Sequence, residues 1–290
     1  MVAIPEMHAV PTPRFWVRPD IRGLEAQHAS YTRHTFAPHS HDMFSLVSMD
    51  RGAEALLIRG NTVVAPAGRL FALNPGQMHS GRAADPGVGW TYRILYIAPE
   101  VMEAASRETA SESRGPPDFA APLIDDPALM RAFSLVFAGM VDPSTSTLER
   151  EADLLSLLVG LVNRHAASHG SSARATPCAP GVRRARALIE ASVTRNISLT
   201  ELAREARLSP WHFVRSFREQ TGQTPQVYLR CLRVRHAQRL LATNMPMGEV
   251  ALACGLADQS HLVKQFTRTL GVTPGEYRSA VHAPRCVSRT

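Results

Sequence analysis

The C-terminal third of this chain contains one pattern twice, and this repeat limits the folds that the segment can adopt. Equivalent residues lie 48 positions apart before a central turn and 49 positions apart after it. Each copy has an amphipathic stretch, a turn and a second amphipathic stretch, which is the pattern of a helix-turn-helix. The shared positions are Glu201, Ala203, Arg215, Phe217, Gly222, Thr224, Pro225 and Tyr228 in the first copy, and Glu249, Ala251, Lys264, Phe266, Gly271, Thr273, Pro274 and Tyr277 in the second. The sequence therefore predicts two helix-turn-helix units in tandem.

The repeated segment also carries the basic charge of the chain. Residues 182–290 contain 17 Lys and Arg against 7 Asp and Glu, whereas residues 1–181 contain 15 against 18. A basic excess confined to one helical segment can neutralise phosphates. None of the predicted helices combines a Trp/Leu face with a Lys-rich face, so a membrane surface is a poorer partner. We therefore expect this segment to bind double-stranded DNA.

The second helix of each unit supplies the candidate DNA contacts. If the two Phe residues of the first unit face the core, the outward or flanking residues are Trp211, His212, Val214, Arg215 and Arg218. In the second unit the corresponding residues are Gln259, Ser260, His261, Lys264 and Thr267. N-terminal residues of a recognition helix reach base edges, where Gln is suited to adenine and Arg to guanine. Two alternatives stay open: Trp211 covers a neighbouring core, and Arg218 and Lys264 contact only phosphate.

Hydroxyl and carboxylate side chains mark where three of these helices begin. Ser198, with Glu201 three residues later, has the spacing of a capping box, and Ser209 and Asp258 are predicted N-caps of the two recognition helices. A single helix over residues 225–243 connects the units and spans roughly 27 Å at about 1.5 Å per residue. Because one turn of DNA is roughly 34 Å, the two recognition helices are expected to enter successive major grooves.

From about Gly181 to Arg278 the chain resembles the DNA-binding domain of AraC-type transcription regulators. The second unit carries the resemblance, since it reads Gly255-Leu-x-Asp-x-Ser-His-Leu-x-Lys264-x-Phe266, followed by Gly271-x-Thr-Pro and Tyr277-Arg278. The resemblance implies a regulator, usually an activator, for which RNA polymerase is a further expected partner. The DNA-facing positions that it implies are Trp211, Val214, Arg215, Gln259, Ser260, His261 and Lys264. Val214 departs from a polar base reader, so its expected contact is a thymine methyl group.

Residues 30–98 have a different pattern, in which short apolar runs alternate with turn signals. Gly, Pro, Asn and Asp cluster between the runs, as in Asn74-Pro75-Gly76. Strands of about four to eight residues at this spacing are typical of an antiparallel barrel or jelly roll. The apolar runs cover residues 43–49, 53–58, 62–65, 70–73 and 90–97.

Three histidines in the predicted barrel are candidates for a binding site. His39 and His41 face the same way on a strand, and His79 follows a turn. Together with Phe44 and Tyr92, they are predicted to line a pocket for a small-molecule effector. Purely structural histidines are an alternative, and a metal site is another. A metal-binding cupin, however, usually supplies a carboxylate soon after the paired histidines, and the nearby acid here faces the opposite way. We therefore expect no metal, no other cofactor and no catalytic residue.

The N-terminal half resembles the cupin-like effector-binding domains of AraC-type regulators, through His34-Thr-Phe36-x-x-His39-Ser-His41 and Asn74-Pro-Gly76-x-x-His79. The predicted fold class is therefore α+β, with a cupin-like antiparallel β-barrel and accessory helices before an all-α domain of two helix-turn-helix units. Residues 1–165 are predicted to form the effector-binding and dimerisation domain, residues 166–181 a Pro/Gly/Ser-rich linker, and residues 182–290 the DNA-binding domain. The helix predicted over residues 147–165 has a wide apolar face. This face is suited to a homodimer, and packing of its leucines on the barrel of the same chain is an equally good alternative.

Two classes of function follow from these patterns. The favoured class is a sequence-specific, effector-responsive transcription regulator, and the alternative is a metal-dependent cupin enzyme that carries a DNA-binding appendage. No apolar run reaches the length of a membrane span, and the N-terminus lacks the apolar core of a signal peptide. The four cysteines are scattered without a Cys-x-x-Cys motif, which indicates a reduced, cytoplasmic protein.

Overall fold

The computed structural model describes residues 13–18, 20–58, 60–109, 117–166 and 179–282 of the 290-residue chain. The described strands are β1 (Arg14–Val17), β2 (Leu24–Tyr31), β3 (Phe44–Ile58), β4 (Asn61–Pro66), β5 (Leu70–Leu73), β6 (His79–Ala83), β7 (Trp90–Ile97) and β8 (Leu123–Ile124). The described helices are α1 (Pro99–Arg107), α2 (Pro127–Val141), α3 (Thr147–His165), α4 (Pro180–Ala191), α5 (Leu199–Ala206), α6 (Pro210–Thr221), α7 (Pro225–Leu241), α8 (Met247–Ala253), α9 (Gln259–Leu270) and α10 (Pro274–Val281). Within these ranges, none of the helices has the length and apolar character needed to cross a membrane.

The strands form an antiparallel β domain, as the sequence predicts. Their order is β1-β2-β7-β3-β5-β8, while β4 and β6 pair with the second half of β3. Strand β3 runs for 15 residues and its register against β7 shifts between Met49 and Arg51. A bulge of this kind bends a strand, so that its two halves can serve two layers. Buried Val47 from the first half and Leu56 from the second belong to one apolar cluster, which is the interior of the barrel.

Helices α1, α2 and α3 cover the outer face of the sheet. Phe44 and Leu46 point out of the barrel interior into a cluster with Phe133 and Leu157 of α2 and α3. Helix α3 begins with a complete capping box of Ser146 and its third residue, and it has the bounds predicted from the sequence. Most of its leucines are therefore used to pack on its own domain.

The C-terminal helices form the two predicted helix-turn-helix units. Phe213 and Phe217 are fully buried in one cluster, and Leu262 and Phe266 are fully buried in another. This confirms the inward faces assigned from the repeat. Because α7 contributes side chains to both clusters, it joins the units, and its 17 residues span about 26 Å.

Three side chains begin the helices as predicted, with one correction. The Ser209 hydroxyl accepts from the His212 backbone N–H, and the Asp258 carboxylate accepts from the His261 backbone N–H at 2.8 Å. Ser198 caps α5 in the same way, but its predicted capping box is incomplete. The Glu201 carboxylate binds Arg195 at 2.5 Å instead, because a nearby guanidinium outcompetes a backbone N–H for it.

The barrel and the DNA-binding helices pack directly against each other. Arg235 of α7 forms an ion pair with Asp42, and Nη2 of Arg230 donates to the Pro38 carbonyl at 3.1 Å. The rings of Phe15 and Tyr277 meet edge to face at 5.4 Å between centroids. Since these contacts come from β1, the segment before β3, α7 and α10, the two halves of the chain share a continuous interface.

The predicted linker over residues 166–181 lies mostly outside the described residues, which stop at Ala166 and resume at Ala179. Helix α4 begins at Pro180, so the last residues assigned to the linker belong to a helix. Pro at the first position of a helix is well tolerated, because its missing N–H has no intrahelical partner there. The domain boundaries therefore stay predictions, apart from this short overlap.

The turn of the second unit depends on a glycine, and its replacement should destabilise the fold. Gly255 has φ of 69°, and a Cβ built on it would lie 2.6 Å from the Thr194 carbonyl oxygen. We expect Gly255→Ala to lower the free energy of unfolding by about 2–3 kcal/mol, from left-handed strain and the clash with backbone. Urea unfolding measures this. The control is Gly248→Ala in α8, where a Cβ has open space and we expect no loss; equal effects at both positions would contradict the argument.

Candidate DNA interface and effector cavity

Helix α6 presents an aromatic and basic face to solvent. Trp211 is 64% exposed, and the Arg215 guanidinium carbon lies 5.6 Å from the centre of its ring. Nε of Arg215 donates to Glu219 at 2.8 Å, one helical turn further on. Trp211 therefore does not cover a neighbouring core. Its ring instead holds the Arg215 guanidinium on the exposed face of α6, one turn after the start of the helix.

Helix α9 presents a polar face at its N-terminus. Gln259, Ser260 and Lys264 are exposed, whereas His261 is half-buried with its Nε2 3.2 Å from Nε2 of Gln265. The Asp258 cap fixes the first turn of the helix and therefore the direction in which Gln259 and Ser260 project. This arrangement brings amide, hydroxyl and ammonium donors to the exposed face of one helix.

Three of the predicted DNA contacts have different surroundings from those assigned on the helical wheel. Val214 is half-buried and packs against the first helix-turn-helix core, so its methyl groups are only partly available. Thr267 is also half-buried, and its hydroxyl is covered. Nδ1 of His212 lies 2.8 Å from the Ser209 hydroxyl, so this ring helps to cap α6. A helical wheel has no information about neighbouring helices, which is why it leaves these residues outward.

The three histidines converge inside the barrel. Centroids of the His39 and His79 rings are 4.3 Å apart, and the His41 ring lies 4.9 Å from the first and 5.2 Å from the second. The isolated bridge between His39 and His79 fixes the backbone of both residues. We refer to these three residues as the histidine cluster. It lines one end of an interior cavity of about 40 Å³.

The surroundings of the histidine cluster keep its rings neutral. Burial lowers the pKa of His79 to about 4, and burial followed by the neighbouring histidines lowers the pKa values of His39 and His41 well below their usual value. Each imidazole in this cluster is therefore uncharged at neutral pH. Neutral rings offer one nitrogen that donates and one that accepts, which suits binding of a polar molecule or a cation.

Other walls of the cavity come from strands β3, β5, β6 and β7. Buried Tyr92 lines the cavity as predicted from the sequence, and Tyr96 lies beside it. Phe44, by contrast, does not line it: adjacent residues of a strand face opposite sides, so Ser45 faces the cavity and Phe44 packs against Phe119. The predicted role of Phe44 is thus corrected to the outer core.

Glu54 is a cavity residue that the sequence reading missed. It is 4% exposed, and burial raises the pKa of its carboxyl to about 8. A signal was present, because Glu54 shares a strand face with Leu56 and Ile58 and therefore points inward. A buried acid of this kind is neutral at pH 7 and can donate a hydrogen bond.

The cavity is not formed by the barrel alone. Thr269 and Leu270, at the C-terminal end of α9, contribute to its lining. The Ala37 N–H donates to the Arg268 carbonyl at 3.3 Å, and the Tyr31 hydroxyl donates to the Gly271 carbonyl at 3.4 Å. The helix that carries Gln259 and Lys264 at one end therefore closes the cavity at the other. No local sequence signal predicts this contact.

Replacing Glu54 should stabilise the chain in a pH-dependent manner. In the folded state the pKa of this carboxyl is about 8, whereas an unfolded glutamate titrates near 4.5. As pH rises between these values the unfolded state loses its proton first, so stability falls. We expect Glu54→Gln to raise the free energy of unfolding by about 2–3 kcal/mol at pH 7, with little difference at pH 4.

Urea unfolding at pH 4, 5.5 and 7 measures the effect of the Glu54 replacement. The control for removing a carboxylate is Glu100→Gln at the exposed start of α1, which we expect to change stability by less than about 0.5 kcal/mol. A constant difference between Glu54→Gln and wild type across this pH range would contradict the buried, neutral acid.

A barrel with an interior cavity, joined to two helix-turn-helix units, defines the class of ligand-binding DNA-binding proteins. Two family models match this chain: the AraC-like ligand binding domain over residues 22–158, and a helix-turn-helix domain over residues 202–280. Together they cover most of the sequence. The chain belongs to the AraC family of transcription regulators, and it is an effector-responsive DNA-binding regulator.

Individual relatives agree with this assignment. The HTH-type transcriptional regulator YbfI of Bacillus subtilis strain 168 is 26% identical over 239 residues, which is 82% of this chain and 86% of YbfI. The HTH-type transcriptional activator RhaR of Escherichia coli O6:K15:H31 is 26% identical over 257 residues, which is 86% of this chain and 89% of RhaR. Wild-type ToxT of Vibrio cholerae strain SCE256, solved with an unsaturated fatty acid, superimposes with a TM-score of 0.59 at 13% identity, over 92% of this chain and 99% of ToxT. The likeness to ToxT concerns the fold.

Proposed function

We propose that this chain recognises a two-part DNA site through the exposed faces of α6 and α9. The observation that carries the proposal is the equivalence of these two faces on either side of α7. Each helix bears a donor suited to base edges, which is Arg215 in the middle of α6 and Gln259 at the start of α9. A connecting helix of about 26 Å suits recognition helices that enter successive major grooves.

Within this proposal the remaining residues have different roles. Trp211 supports Arg215, and Ser260 adds a hydroxyl next to Gln259. Arg218 lies further along α6, and Lys264, the equivalent of Arg215, carries an ammonium without the paired donors of a guanidinium, so we assign both to phosphate contacts that set position without reading sequence. The other residues contribute less: exposed His212 and half-buried His261 through backbone-proximal contacts, and half-buried Val214 and Thr267 through shape alone.

Separate replacement of the two base readers tests the proposal. We expect Arg215→Ala and Gln259→Ala each to weaken binding by about 1–3 kcal/mol and to relax base preference at different positions of one site, about one DNA turn apart. Selection of binding sequences from a random pool, done with each full-length variant, measures both changes. The control is Arg186→Ala, which removes an exposed, ion-paired arginine of α4 outside the recognition helices. Return of the wild-type motif by either variant would remove that residue from base reading.

We further propose that the cavity is the effector site and that α9 transmits its occupancy. Its polar groups are the histidine cluster, Glu54 and Tyr92, and its apolar wall includes Phe71. Such a lining favours a molecule with one polar end, and the size of the cavity favours a compact one. The unsaturated fatty acid held by ToxT also has one polar end but is extended. A molecule larger than the cavity must displace Leu270 and therefore shift α9 relative to the barrel.

A homodimer is the third part of the proposal. Helix α3 buries most of its leucines, yet Leu148 and Leu155 are 75% and 48% exposed. They lie seven residues apart with exposed Ala152 between them, and half-buried Val159 follows. Apolar residues at this three-and-four spacing form the stripe through which two helices pair. We call these four residues the α3 stripe, and we propose that it joins two copies of this chain.

The proposed function also implies where the regulator acts, what it contacts and that it is not an enzyme. We propose that it acts in the cytoplasm, as an activator that contacts RNA polymerase, since its relative RhaR is a transcriptional activator. We also propose that the chain has no catalytic residue, in preference to the alternative of a cupin enzyme with a DNA-binding appendage. Thr269 and Leu270 of a DNA-binding helix contribute to the cavity lining, and this supports a sensor.

A further inference from the structure

We propose that the histidine cluster binds one divalent transition-metal ion of the zinc type inside the barrel. His39, His41 and His79 each offer a ring nitrogen, and these ligand atoms all lie within 4.8 Å of one another. This inference revises the expectation from the sequence, where the missing carboxylate argues against a metal. The metal site follows from the chemistry of the three histidines alone, whereas its role in effector binding rests on the proposed function.

The separations of the three rings are close to those expected around a single metal ion. Zinc–nitrogen bonds of about 2.0–2.1 Å place three imidazole centroids roughly 4.5–5.2 Å apart around one ion. The observed separations are 4.3, 4.9 and 5.2 Å. The ring separations are therefore close to those around one ion, and rotation of the rings must bring the ligand nitrogens, which lie within 4.8 Å of one another, to about 3.3 Å.

The nitrogens that face away from the cluster support a metal site independently of the ring separations. Nδ1 of His39 lies 2.8 Å from the Ala37 carbonyl, and Nδ1 of His79 lies 3.0 Å from the Gln77 carbonyl. A carbonyl can only accept, so Nδ1 carries the proton in both rings. Nε2 then carries the free electron pair. The hydrogen bond at Nδ1, on the other side of the ring, fixes the direction in which this pair points. This outer hydrogen bond is the usual support of a metal-binding histidine.

The ligand set indicates the kind of ion and leaves room for a further ligand. Three neutral imidazoles suit zinc, copper, nickel or iron better than magnesium or calcium, which prefer oxygen. Three protein ligands leave a zinc ion at least one open position. That position borders the cavity lined by Glu54 and Tyr92. A metal here would thus bind the polar end of the effector, which deepens the effector site proposed above.

Zinc titration of the full-length chain tests this inference. The protein is treated with a chelator, dialysed, and titrated with zinc chloride by calorimetry, and cobalt binding is followed by visible absorption. We expect one equivalent to bind with a Kd below about 1 µM, and His39→Gln and His79→Gln to weaken binding at least about 100-fold. The matched control is His28→Gln, a half-buried histidine of β2 outside the cluster, which should bind as wild type does.

Each outcome decides the matter. His41 is half-buried and therefore more tolerant of replacement, so His41→Ala provides the loss-of-binding test if the buried variants do not fold. Intense cobalt absorption bands, typical of four-coordination, support the site when wild type shows them and the variants at His39, His41 and His79 do not. Equal zinc binding by wild type and all variants, or none by wild type, overturns it. DNA binding is measured on the same samples. A wild type that binds DNA but does not bind zinc refutes the metal site and leaves the proposed function standing, whereas a wild type that binds zinc but not DNA does the reverse.

Discussion

Raising the salt concentration from about 50 to about 200 mM will lower the affinity of the full chain for its DNA site by roughly a thousand-fold. The physical reason is release of the cations that surround DNA when Arg and Lys neutralise its phosphates. Residues 182–290 contain 17 such side chains, but several are paired with acids, for example Arg195 with Glu201 and Arg235 with Asp42. About six phosphate contacts are therefore a reasonable number, and each adds about 0.9 to the slope of log affinity against log salt.

Fluorescence anisotropy at several salt concentrations measures this slope. We expect Lys264→Ala to reduce it by about one, because an ammonium on the exposed face of α9 can meet a phosphate. Arg107→Ala is the matched control, since this exposed arginine belongs to α1 of the barrel domain and should leave the slope unchanged. An affinity that hardly changes over this salt range would exclude phosphate neutralisation as the main source of binding.

The second large effect is expected from the α3 stripe. Replacing Leu148 and Leu155 by Glu should convert a dimer at tens of micromolar into a monomer, because four carboxylates would face one another across the paired helices. Loss of the partner removes the effective concentration that helps the second copy to bind. We therefore expect the affinity for a DNA fragment carrying two sites to fall by roughly 10³, with little change for a single site.

Sedimentation and anisotropy together measure the dimer prediction. Val88→Glu is the control, since Val88 is an apolar residue, 49% exposed, in the turn before β7 and away from the stripe. Wild-type protein that sediments as a monomer at tens of micromolar would disprove the pairing. A variant that stays dimeric would move the interface to another surface.

The sequence was most informative where structure depends on local periodicity. The buried faces around Phe217 and Phe266 follow from helical spacing, and the caps at Ser209 and Asp258 follow from side-chain chemistry. These features need only a few neighbouring residues, so a single chain read in order predicts them. The same reasoning predicted the antiparallel strands from the turn residues between them.

Errors arose where a residue's surroundings come from distant parts of the chain. Phe44 was assigned to the cavity because it follows the paired histidines, but the pleat of β3 turns it to the outer core. Thr267 was assigned to DNA from its position on a wheel, although its hydroxyl is covered. Neither Thr269 nor Leu270 was connected with the barrel, because contacts between residues more than 200 positions apart leave no periodic signal.

Because Leu270 completes the cavity wall, the proposed effector site and the proposed DNA-reading helix share a residue. If both proposals hold, any free energy with which an effector favours one placement of α9 must appear, with equal size, as a change in effector affinity when α9 is held on DNA. On this proposal the operator is itself an allosteric ligand of the barrel. Two promoters that hold α9 differently would tune the same protein to different effector concentrations, without any change in its amino-acid sequence.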